Sequence, residues 1–233
     1  MVHGLTLERE GVRLAATDFG GAGPPVVLLH GLGGHTGEWT ETAAWLTHGH
    51  RVVALDARGH GRSERRPDDV SIEARVADVA FAIDRLELAP VILIGQSLGA
   101  ITALLLAAEH ADLVSALVLV DAGPEADAET DVADVVEGLA NWPDPQFDLD
   151  VMERTLRATT GRAFWREWER VTRPTLVVLA EHGVIARGEA DAMARKAGAR
   201  VVEIPGAGHD LHLDAPAEWR AALTAFLEAQ PPV

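Results

Sequence analysis

The sequence predicts an α/β fold: a mostly parallel sheet of the eight-stranded type, flanked by helices, with a short helical cap inserted after the sixth strand. Two observations carry this expectation. Short apolar runs at 26–29, 52–55, 91–94, 117–120, 176–179 and 201–204 alternate with longer segments of helical spacing. That alternation is the signature of βα units feeding a parallel sheet covered on both faces. One stretch, residues 124–174, breaks the alternation with helical spacing and no clear strand.

Taken in chain order, residues 6–10 and 12–17, separated by Gly11, read as a hairpin, and the Gly- and Pro-rich residues 20–25 end it. Val76, Val79, Ala80, Ile83 and Leu86 recur at helical spacing. Residues 98–108 are apolar nearly all round, as in a helix sandwiched behind a strand, here the run 91–94. Within the interrupting stretch, Val132, Val135, Val136 and Leu139 form one amphipathic stripe, and Trp165, Trp168 and Val171 suggest another. The tryptophans of that second stripe are expected to select the substrate. Leu223, Phe226 and Leu227 mark a last helix. No internal repeat recurs at a fixed period, and 233 residues suit one domain, 1–233, with 124–174 as a cap within it.

Composition narrows the function. The chain has no cysteine, which removes disulfides, thiolate metal sites and a thiol nucleophile together. A serine hydroxyl becomes the nucleophile to look for. The formal charge of −16 repels nucleic acid, anionic membranes and polyanions, so a small neutral or cationic molecule is the expected partner. No basic stretch leads into an apolar run at the N-terminus, and the apolar runs are too short to span a bilayer, which sets a cytoplasmic location as the expectation.

Three segments carry chemistry. Gly95-Gln96-Ser97-Leu98-Gly99 stands between an apolar strand and a helix, the strand-turn-helix setting of a nucleophile elbow, in which a sharp turn exposes the Ser97 hydroxyl at the sheet edge. His30-Gly31-Leu32-Gly33-Gly34 follows the first core strand, and the backbone N–H groups of Leu32 and Leu98 are candidates for an oxyanion hole. Gly206-Ala207-Gly208-His209 follows the last predicted strand, placing His209 as general base. His212 is the competitor for that role, while His30, His60 and His110 read as structural and show no metal-ligand spacing.

On these segments the chain resembles the α/β-hydrolase superfamily, essentially end to end. Asp56-Ala57-Arg58-Gly59-His60-Gly61-Arg62-Ser63 is similar to that family's D-x-R-G-x-G-x-S loop, and Leu119-Val120-Asp121 to its sixth-strand ending. The resemblance implies acyl transfer through an acyl-serine, with neither cofactor nor metal, and a cap closing an apolar pocket over the serine sets a small, largely apolar carboxylic ester or lactone as the expected substrate. C–C bond hydrolysis and cofactor-free perhydrolysis also occur on such triads. In one place the sequence departs from the family. The triad acid usually follows the seventh strand in a G-x-x-D setting, which here reads Ala180-Glu181-His182-Gly183. Gly183 stands where the acid should be and has no side chain. Asp121, ending the strand expected about 5 Å from that of Ser97, and Glu181 are the alternative acids. A third alternative has no orienting acid, and a hydrolase scaffold lacking one could instead serve as a ligand receptor.

Overall fold

A computed structural model describes residues 2–126 and 130–230. Residues 127–129 of the expected cap lie outside the described residues. In chain order the elements are β1 (His3–Arg9), β2 (Val12–Gly20), β3 (Pro25–Leu29), α1 (Thr40–Leu46), β4 (Arg51–Asp56), α2 (Ile72–Arg85), β5 (Val91–Gln96) and α3 (Leu98–Glu109). They continue as β6 (Val114–Val120), α4 (Val132–Ala140), α5 (Leu149–Thr159), α6 (Trp165–Arg170), β7 (Thr175–His182), α7 (Arg187–Ala194), β8 (Ala199–Gly208), α8 (Leu211–Asp214) and α9 (Pro216–Leu227).

The eight strands form one sheet in the order β1-β2-β4-β3-β5-β6-β7-β8. β1 and β2 pair antiparallel with Arg9 opposite Val12, so Glu10 and Gly11 turn the hairpin, both at positive φ. β2 meets β4 antiparallel, and the pairs from β4 through β8 are parallel. The expected α/β architecture is therefore present.

Side chains alternate along each strand between two cores, as the period of two requires. Val27, Leu29, Leu93, Leu117, Leu119 and Val177 pack toward α2 and α3. Their neighbours Val26, Leu28, Ile92, Ile94, Val118 and Val178 face the opposite core with Trp39, Trp219 and Phe226. Helix α3 lies over the centre of the sheet, and its buried residues run without a break from Leu98 to Ala108, which explains why its sequence lacks a polar face.

Three helices, α4, α5 and α6, fill the stretch between β6 and β7. The Asp131 side chain caps α4 and that of Asp148 caps α5, each accepting first-turn amides. The stripe on α4 is present, but α6 corrects the expectation for the tryptophans. Trp168 is fully buried in the core beneath α3, and Trp165 packs against that core while donating its ring N–H to Glu125 at 2.8 Å. Helix α5 lies between the two stripes read from the sequence. It buries Val151 and Met152 against Phe147, Leu139 and Val70, a small separate core under the cap. The last strand also runs longer than its apolar run: β8 continues past a register irregularity until Gly208 pairs with His182 of β7. Among the described residues no helix is long and apolar enough to cross a membrane.

Candidate active site

Ser97 sits between β5 and α3 at φ 53 and ψ −121, a region that costs a non-glycine residue about 1–3 kcal/mol. The flanking glycines make so tight a turn possible. A Cβ on Gly95 would lie 2.2 Å from the Gly99 carbonyl oxygen, and one on Gly99 would lie 2.5 Å from that of Leu29. Any side chain at either position would force β5, α3 and β3 apart. The turn presents Ser97 to a cavity of about 470 Å³, which His209 also lines.

His209 immediately follows β8 and is about one-third exposed, whereas Asp121, immediately after β6, is completely buried. Their side chains meet, His209 Nδ1 to Asp121 Oδ2, at 2.7 Å. Asp121 also accepts the backbone N–H groups of Ala180 and Val184, each at 3.1 Å, so this buried carboxylate has three donors. Because Nδ1 faces a carboxylate, the proton resides there and the Nε2 lone pair is left to accept another. Asp121 too has a positive φ, 44. The two strained residues thus follow directly on adjacent strands, β5 and β6.

The neighbourhood of Gly183 accounts for its missing side chain. A Cβ there would lie 2.2 Å from both carboxylate oxygens of Asp121. The carboxylate reaching over from β6 fills the volume that a side chain at 183 would need. Glu181 lies elsewhere: it is exposed, and its carboxylate accepts the Gly206 N–H at 2.7 Å.

The loop after β3 is held by two buried histidines. His30 Nε2 accepts the Ala57 N–H at 3.0 Å while Nδ1 donates to the Gly31 carbonyl at 2.7 Å. His60 Nε2 accepts the Gly33 N–H at 3.0 Å, and its Nδ1 donates to the Arg58 carbonyl at 3.0 Å. Burial drives the His30 imidazole down to about 4 and that of His60 well below its usual value, so both are neutral braces. Arg58 in turn makes a two-pronged pair with Asp78 of α2, at 2.7 and 2.8 Å, which anchors the 56–63 loop. Leu32 and Leu98 both line the cavity, and Leu98 opens α3, where first-turn N–H groups have no partner within the helix. His212 stays apart from the cavity, buried and stacked on Trp39 with ring centroids 4.4 Å apart. His110 is exposed at the end of α3.

Apolar side chains from the cap and the sheet edge, among them Ile101, Val135, Leu139, Trp142, Leu156 and Ile185, wall most of the cavity. Glu125, Glu189 and Asp210 bring carboxyl groups to it. Burial raises Asp210 above the usual carboxylate range, and burial together with the charge of Asp210 pushes Glu38 up to about 7.

A family model described as alpha/beta hydrolase fold matches residues 24–147, more than half of the chain. The chain belongs to the α/β-hydrolase fold family. Among relatives of this hydrolase, the sn-1-specific diacylglycerol lipase of Mus musculus is 28% identical over 88% of this chain and 81% of that protein. The corresponding lipase of Xenopus tropicalis is 40% identical over 45% of this chain, a match that spans only 33% of that protein. The crystal structure of the enol-lactonase from Burkholderia xenovorans LB400 superposes on this α/β-hydrolase with a TM-score of 0.84 at 24% identity, covering 96% of this chain and 100% of that one, a likeness of fold.

Proposed function

We propose that the protein is a serine hydrolase that cleaves a small, largely apolar carboxylic ester or lactone through an acyl-enzyme intermediate. The observation that carries this reading is the 2.7 Å contact between His209 Nδ1 and the buried Asp121 carboxylate, beside a cavity shared with Ser97. Asp121 holds the imidazole tautomer and stabilises its protonated form. His209 Nε2 takes the Ser97 hydroxyl proton as Oγ bonds to the carbonyl carbon, and the N–H groups of Leu32 and Leu98 receive the resulting oxyanion. When the tetrahedral intermediate collapses, the C–O bond to the alcohol breaks and His209 returns its proton to the departing oxygen. Water repeats the sequence on the acyl-serine and releases the acid.

Residues 124–174 serve as a cap on a single hydrolase domain and set the shape of the acyl pocket. The apolar walls favour an apolar substrate, and the carboxyl groups of Glu125, Glu189 and Asp210 disfavour an anionic one. The name of the mouse relative, a lipase for diacylglycerol, accords with an ester substrate. A receptor without turnover loses its motive, since the gap at Gly183 is occupied by the carboxylate of Asp121.

The test is hydrolysis of short- and medium-chain p-nitrophenyl esters and lactones, with fluorophosphonate labelling followed by intact mass. Ser97→Ala is expected to abolish labelling and lower kcat by at least about 10⁴-fold, as loss of a triad nucleophile does elsewhere. Undiminished hydrolysis in that variant, or an adduct on another residue, would overturn the reading.

A further inference from the structure

We propose that Gln96 is a positioning residue that ties the histidine loop to the nucleophile turn, acting through Asp210; this rests on the serine-hydrolase reading above. Gln96 ends β5, directly before Ser97, and is buried. Gly95 faces α3, so the alternation of the strand turns Gln96 to the other face. There its Nε2 donates to Asp210 Oδ1 at 3.0 Å and to the His209 carbonyl at 3.3 Å. Its Oε1 lies against the loop after β3, where a Cβ on Gly31 would come within 2.2 Å of it. One amide therefore touches the loop of Leu32, adjoins Ser97 in the chain and bonds both residues of the His209-Asp210 pair.

The chemistry of the contact specifies the residue. The Asp210 carboxylate and the His209 carbonyl are two acceptors side by side, and each takes a donor here. A primary amide supplies both N–H groups from one atom without adding charge. Glutamate at this position would set a second carboxylate against Asp210, and leucine would leave both acceptors without this donor. Since Gln96 and Ser97 share a peptide bond, the hydrogen bonds hold the His209 backbone in the frame of the nucleophile itself. Asp121 orients the imidazole ring, and Gln96 fixes the main chain that carries it. Gln96 also lines the cavity, so the test must separate positioning from direct substrate contact.

The full-length wild type, Gln96→Leu, Asp210→Ala, Asp210→Asn and the Gln96→Leu/Asp210→Ala pair are compared for Ser97 fluorophosphonate labelling rate, kcat, KM and thermal melting. Gln96→Leu and Asp210→Ala are each expected to slow labelling and kcat by about tenfold to a hundredfold with KM nearly constant, the effect of displacing a catalytic base by a fraction of an ångström. Asp210→Asn keeps an oxygen for Gln96 Nε2 and should label within about threefold of wild type. The double variant should be no slower than the slower single one, because both changes break the same link. Normal kcat in Gln96→Leu, multiplicative losses in the pair, or a rise confined to KM would overturn the proposal. If Gln96→Leu does not fold, Asp210→Ala and Asp210→Asn decide, and equal losses in those two would refute it. A wild type that labels nowhere, or not at Ser97, brings down the hydrolase reading and this inference with it; failure of the positioning role alone leaves wild-type labelling at Ser97 intact.

Discussion

At the scale of single residues, Asp121 and Gly183 form one unit. The carboxylate occupies the space that a side chain at 183 would take, and it accepts Val184 N–H from the same turn. The gap at Gly183 was visible in the sequence, and so was a carboxylate at the end of the neighbouring strand. The choice between Asp121 and Glu181 was not, since it depends on where two loops fold back over the sheet. Gly183→Ala should therefore behave as an active-site lesion. Its methyl displaces the carboxylate from His209, and kcat is expected to fall about a hundredfold or more, with KM as the control. Asp121→Asn should lower kcat by about 10⁴-fold. It should also cost about 1–3 kcal/mol in urea unfolding, because an amide cannot accept from the imidazole and from both backbone N–H groups at once. Glu181→Gln is expected to leave kcat near the wild-type value. A larger loss in Glu181→Gln than in Asp121→Asn would reverse the assignment.

At the scale of elements, strands were easier to read than the cap. Each core strand is a dense apolar run because both faces are covered, and the run betrays it without its partners. The cap helices have one buried face each, and a stripe does not disclose what it packs on. Trp168 and Leu139 both sit on amphipathic helices, yet Trp168 enters the main core whereas Leu139 faces the cavity that Ser97 lines. Helix α5 had a signal, Asp148 as N-cap followed by Leu149, Met152 and Leu156 at helical spacing; the prolines at 143 and 145 just before it masked that signal. The structure moves the specificity prediction from α6 to Trp142, which follows α4, lines the cavity and meets Phe147 edge-on at 5.7 Å between centroids. Trp142→Ala should shift the preferred acyl chain length while costing no more than about 1 kcal/mol. Trp168→Ala should cost about 3–5 kcal/mol with little change in chain-length preference. Comparing melting curves with ester profiles checks the pair, and an altered profile in a stable Trp168→Ala would return that residue to the pocket.

At the scale of the whole molecule, the βα alternation disclosed the sheet, while the strand order and the braces between distant loops depend on pairings that no local pattern encodes. The buried histidines, two of them braces of this kind, make stability depend on pH. His30 and His212 are held down to about 4 by burial, and His60 lies well below its ordinary value. An unfolded chain binds protons at these sites below about pH 6.5, whereas in the folded chain His30 and His212 do so only near pH 4 and His60 well below its ordinary value. Stability contributed by each imidazole is therefore lost as pH falls through that window, about 3 kcal/mol apiece for His30 and His212. Glu38 acts in the opposite sense. Its carboxyl is raised from 4.5 to about 7, so its contribution is complete below pH 4.5 and disappears as pH rises through 7. It offsets roughly one histidine, leaving a net loss of about 3 kcal/mol or more on going from pH 7 to 4.5. His212 permits a clean test, because neither ring nitrogen has a hydrogen-bond partner among the described residues and the ring stacks on Trp39. His212→Phe keeps the stack and removes the titration. Urea unfolding from pH 7 to 4.5 should show a shallower decline in this variant, by about one histidine's share, and equal slopes in variant and wild type would mean that His212 plays no part in acid unfolding.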